Sequence, residues 1–146
     1  YEGTNEIQAI DLLVRKVLPD HGAAMSAVLL ELRDTLDASR EAEADVQRRL
    51  AQLRYLGTTV AMAAQADPVL PHEVADDYLR ATMLVLLAWA WARIEAAAPL
   101  DAGRARVAAA FRRWVLPEFE MRLAMVKRSC EPVALTHAAV ARSPSG

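Results

Sequence analysis

The feature that most limits what this chain can fold into is the spacing of its apolar residues, which recur every three or four positions almost from end to end. Ile7, Ile10, Leu13, Val14, Val17 and Leu18 form a first helical stripe, with Thr4 or Asn5 suited to cap it, and Pro19-Asp20-His21-Gly22 interrupts it. A second helix is expected over 23–38, with Met25, Val28, Leu29, Leu32 and Leu36 on one side. A third is expected over 43–66, along Val46, Leu50, Leu53, Gly57, Val60 and Ala64. Gly57 lies inside that stripe, where the missing side chain permits close approach of a neighbour. The fourth helix, 72–97, loses its polar side between Met83 and Trp89, the pattern of a helix surrounded by others. A fifth, capped by Asp101, runs to about Cys130 along Val107, Phe111, Trp114 and Val115 and then Phe119, Leu123 and Val126. Pro117 kinks or divides it. The fold class this predicts is all-α, an antiparallel helical bundle of four to five long helices.

Composition narrows the function classes. With 146 residues the chain supports one compact domain, and 54% hydrophobic residues exclude a disordered one. Seventeen Lys and Arg against nineteen Asp and Glu give a net charge of -2, without the basic field that nucleic-acid binding needs. The longest apolar run, Ala81–Ala92 between Arg80 and Arg93, falls well short of the roughly 20 residues of a membrane-spanning helix. The single Cys130 has no partner for an internal disulfide. His21, His72 and His137 each lack a second histidine three to five residues away, and no Glu-x-x-His pair exists, so no metal centre is expected. No nucleophile elbow, Walker loop or dinucleotide-binding glycine fingerprint occurs. The chain opens on Tyr1 without a signal-peptide pattern, and is expected to be one piece of a longer, cytoplasmic protein.

What remains is the opening, Tyr1-Glu2-Gly3-Thr4-Asn5-Glu6-Ile7-Gln8. A glycine that admits close approach of a ligand follows a carboxylate and precedes a helix start, whose free N–H groups suit an anionic or electron-rich ligand. A carboxylate beside such a site is a candidate general base when burial raises its pKa toward neutrality. Spacing alone favours an ordinary capped helix after a glycine turn.

Tyr1-Glu2-Gly3-Thr4, with Ile7-Gln8 and the helix Ala9-Ile10-Asp11-Leu12-Leu13-Val14-Arg15-Lys16, resembles the C-terminal signature of flavin-dependent acyl-CoA dehydrogenases. The resemblance implies that Glu2 is the catalytic base and Gly3 lies against the acyl thioester. It places Thr4, Asn5, Glu6 and Gln8 on the FAD side of the loop. It further implies an acyl-CoA substrate, a trans-2-enoyl-CoA product, electron-transferring flavoprotein as acceptor, and a homo-oligomer, dimer or tetramer. Two positions depart from the pattern: Glu6 puts a second carboxylate where relatives often carry Gly or Gln, and Val14 replaces a glycine. Because well over a hundred residues follow the motif, the chain looks like the branch with an extended C-terminal helical domain, which includes the 3-methylmercaptopropionyl-CoA dehydrogenases. The expected organisation is residues 1–18 as catalytic loop and end helix, 19–133 as an extended bundle, and 134–146 as a loose tail. The competing expectation is a non-catalytic helical module for oligomerisation or interaction.

Overall fold

The computed structural model describes residues 2–131, and every regular element within them is helical. Helix α1, Glu2–Ile10, passes without interruption into a π-helical segment, Asp11–Val17, and a short 3-10 turn, Leu18–Asp20. The chain then reverses through His21 and Gly22, both left-handed at φ 57° and 83°. Helix α2 spans Ala23–Asp34, α3 Glu41–Ala66 and α4 Leu70–Ala97. Helix α5, Ala102–Ala110, runs into a second π segment, Phe111–Val115, before α6, Glu118–Cys130. The architecture is an all-α helical bundle.

Both π segments end just ahead of a proline, Pro19 in one case and Pro117 in the other. A proline ring inside a helix clashes with the carbonyl four residues back and supplies no N–H. A wider turn with five-residue hydrogen bonds relieves this: Leu18 N–H donates to Leu13 O, and Leu116 N–H donates to Phe111 O at 2.9 Å. Pro117 thus divides the expected fifth helix in two.

Helix α4 is the hub, packed against α6, α3, α1 and the first π segment. The core holds Leu13 and Val17 from the π segment, Leu29 from α2, and Leu50, Leu53, Leu56 and Val60 from α3. Tyr78, Leu84 and Val85 come from α4, and Phe119 and Val126 from α6. Gly57 earns its place in the α3 stripe, because a Cβ built there would stand 3.2 Å from the Tyr78 hydroxyl.

Four expectations need correction. Helix α1 already begins at Glu2, so Thr4 and Asn5 are within the helix and do not cap it. Helix α2 ends at Asp34, four residues early, where the Thr35 hydroxyl donates to Leu32 O at 2.6 Å. The middle of α4 is not surrounded: Leu84, Val85 and Ala88 are buried, but Met83, Leu86 and Leu87 stand at the surface. The α5 stripe holds only in part, since Phe111 is buried while Val107, Val115 and Trp114, 73% exposed, face outward. Trp114 and Val115 lie inside the π segment, where counting by 3.6 residues per turn fails, whereas Val107 precedes it and is exposed on α5 itself. Residues 134–146, expected as a loose tail, lie outside the described residues, as does His137.

Candidate functional site

Residues 3–8 occupy the exposed first turns of α1. Thr4 and Gln8 are four residues apart and therefore neighbours on one side of the helix, while Gly3 and Ile7 form the adjacent row. Glu2 holds the first helical position, and Tyr1 lies outside the described residues. Gly3 has open space around it, for a Cβ built there would meet nothing within 4 Å. Thr4, Asn5 and Gln8 present a hydroxyl and two amides on this turn, and Glu6 adds a carboxylate. Such donors fit the edge of a polar cofactor, and the open surface at Gly3 fits close approach of a ligand. The Glu6 carboxylate does not fit a cofactor phosphate. The helix is anchored from beneath by Ala9 and Leu13, both fully buried.

The chemistry-bearing side chains elsewhere are dispersed. His21 sits at the left-handed reversal and His72 is exposed in the first turn of α4. Among the described residues no group of three or more His, Cys, Asp or Glu side chains is placed to hold a metal ion. Nor is any described helix long and apolar enough to cross a membrane. Cys130 is half-buried at the end of α6, and burial pushes its thiol pKa up, away from the reactive thiolate.

Many arginines are engaged in ion pairs. Arg80 holds Glu118 with two hydrogen bonds of 3.0 Å, and Arg122 reaches both Glu118 and Asp77. Arg49 pairs with Asp45 and Glu120 and lies 5.6 Å from the centre of the Phe119 ring. These contacts join α6 to α3 and α4. One carboxylate, Glu43, is buried and accepts from the Asp37 N–H at 2.8 Å and from Arg40 at 3.3 Å, closing the loop between α2 and α3.

Among the grooves formed by the described residues, two exceed 400 Å³, and residues 3–8 line neither. One, of about 520 Å³, lies between the C-terminal ends of α3 and α6 beside Tyr55, Met62 and Cys130. The other, of about 440 Å³, runs between the first π segment, α2 and α4. Its walls are Leu12, Met25, Val28, Leu79, Met83 and Leu86, and Lys16 is its one charged lining residue. Periodicity did not mark this groove, because it arises where a widened turn meets an α4 face that was expected to be covered. Compared with protein families, curated proteins and solved structures, the chain matches none of them.

Proposed function

We propose that this chain is the C-terminal helical portion of a flavin-dependent acyl-CoA dehydrogenase of the extended type, with Glu2 as its base. The observation that carries the reading is the string Tyr1-Glu2-Gly3-Thr4, continued by Ile7-Gln8 and the helix to Lys16. It gains support from the exposure of residues 3–8, which leaves that turn free to face a cofactor and substrate held by other segments.

In this reading, the Glu2 carboxylate takes the proton from the α-carbon of an acyl-CoA thioester. The β-hydrogen leaves with its electron pair, and a carbon–carbon double bond forms to give the trans-2-enoyl-CoA. FAD, when bound, supplies the hydride acceptor, and electron-transferring flavoprotein removes the two electrons afterwards. The α-proton is weakly acidic, so the enolate charge needs donors on the thioester oxygen, and the backbone N–H of Glu2 is one. Thr4, Asn5 and Gln8 hold the cofactor side, and Gly3 keeps the approach open. Glu6 belongs to the same exposed turn, and its carboxylate is the departure from the pattern of the resembled family. The fragment contains the base and part of a wall, and is inactive alone.

In the complete protein, Glu2→Gln is expected to abolish acyl-CoA-dependent bleaching of the flavin while FAD stays bound. Bleaching at the wild-type rate would sink the assignment. The 146-residue chain by itself is expected to carry no stoichiometric flavin absorbance.

A second reading, a helical interaction module, draws on one observation: Met83, Leu86 and Leu87 form an exposed apolar face on α4. It predicts concentration-dependent self-association in sedimentation and no flavin in any longer form of the protein.

A further inference from the structure

The groove between the first π segment, α2 and α4 has the makings of a ligand site that the opening motif does not use. Its floor is closed by Val17 and Leu29, both buried, and its rim by Val28 and Met83, about half exposed at 49% and 45%. A volume of about 440 Å³ lies within the range of small-molecule sites, which sit characteristically between helices and are mostly apolar. Thr82 also lines it, but its hydroxyl already donates to Tyr78 O at 2.8 Å. The interior therefore offers a ligand apolar contact and little else.

One end differs. Lys16 stands at the groove, and its ammonium has no ion-pair partner among the described residues. Neighbouring acids are committed elsewhere: Asp11 pairs with Arg15, and the Asp20 carboxylate accepts from the N–H groups of Gly22, Ala23 and Ala24. The π segment sets this arrangement. With more than four residues per turn it brings Leu12, Lys16 and Val17 to one side, so that the cation stands beside the apolar wall. Two of the lining residues are methionines, Met25 and Met83, whose unbranched thioethers adapt to a flexible chain.

From the apolar trough and its one charged lining residue among those described, Lys16, we infer that the groove binds a single-chain amphiphile with an anionic head, the alkyl chain lying along α4 and the head paired with Lys16. None of residues 3–8 lines this groove, although Leu12 and Lys16 of the helix that follows do.

The five methionines supply the test, because only Met25 and Met83 line this groove, Met62 lines the other, and Met121 and Met125 are exposed on α6. Titrating the chain, labelled at its methionine methyls, with decanoate below its aggregation limit is expected to shift the Met25 and Met83 resonances saturably and leave the other three in place. Lys16→Glu is expected to weaken decanoate by roughly tenfold, the scale of losing and then reversing one surface ion pair. The same variant should gain affinity for decyltrimethylammonium. Val28→Trp, at a half-exposed position, should fill the trough and abolish both shifts while the remaining methyls report an intact fold. The inference is overturned by shifts at Met62 alone, by no shift at all, or by decanol matching decanoate. Met25 and Met83 shifting with protein concentration and no ligand would also overturn it, since the groove would then be covered by a second copy.

Discussion

At the scale of single residues, the least ordinary position is Tyr78. Its side chain is fully buried in α4, its hydroxyl has no hydrogen-bond partner, and burial pushes its pKa up to about 12. An orphaned buried hydroxyl costs about 1–3 kcal/mol, so Tyr78→Phe is expected to stabilise the fold by about 1 kcal/mol at neutral pH. The pH dependence has a definite sign. The unfolded phenol ionises near 10 while the folded one holds its proton to about 12, so alkali favours the unfolded chain as pH rises between those values. Two pKa units correspond to about 3 kcal/mol, which the wild type should lose and Tyr78→Phe should retain. Urea denaturation of both proteins across that interval measures the difference; parallel curves would refute the burial assigned to this hydroxyl. Gly57 is coupled to the same atom. Gly57→Ala gains up to about 1 kcal/mol of helix propensity but sets a methyl 3.2 Å from the hydroxyl. It should therefore destabilise the wild type and stabilise the Tyr78→Phe protein, a sign change that a double-mutant cycle would register.

At the scale of elements, the start of α2 rests on a residue outside it. Asp20 accepts from the N–H groups of Gly22, Ala23 and Ala24 at 3.0, 3.1 and 2.8 Å, replacing the partners that a helix start lacks. Asp20→Ala is expected to cost about 1–2 kcal/mol, read as a lower urea midpoint, with Asp20→Asn losing less. An unchanged midpoint for the alanine variant would contradict this cap. Pro19-Asp20-His21-Gly22 was legible in the sequence as a break, because proline and glycine act on the backbone locally. The Asp20 cap was not, since it depends on left-handed turns at His21 and Gly22 that aim the first amides of α2 back at one carboxylate. The α3 stripe was legible for a similar reason: twenty-six residues of uninterrupted α-helix keep Val46, Leu50, Leu53, Gly57 and Val60 in register. Trp114 was misplaced because it lies within a π turn, where the α-helical phase no longer holds. Met83 to Trp89 states that a helix is apolar all round, but not how many neighbours arrive to cover it. The opening motif is readable as a string of residues, whereas the α-helical conformation that begins at Glu2 is not, because the capping preference of Thr4 and Asn5 is weaker than the continuity of the helix behind them.

At the scale of the molecule, the attachment of α6 decides how the last third of the chain is held. Two kinds of contact compete for that role. The apolar one places Phe119, Leu123 and Val126, all buried, against α3 and α4. The polar one is the cluster of Arg80, Arg122, Asp77 and Glu118 with the Arg49–Glu120 pair at its side. Hydrogen bonds from Arg80, and then from Arg122, hold the Glu118 carboxyl below its ordinary 4.5. A depressed carboxylate pKa contributes stability that is complete above the unfolded value and disappears as pH falls through the folded one. Solvent reaches these side chains, so the contribution stays under about 1 kcal/mol and shrinks with salt. Emptying a fully buried phenylalanine site removes about 3–5 kcal/mol. Phe119→Ala should therefore lower the unfolding midpoint strongly at every pH, with hydrogen exchange rising throughout α6. Glu118→Gln should lower it slightly above pH 4.5 and converge with the wild type below that value. If Glu118→Gln instead matched Phe119→Ala at neutral pH, the charged cluster and not the apolar seam would be what fastens α6 to the bundle.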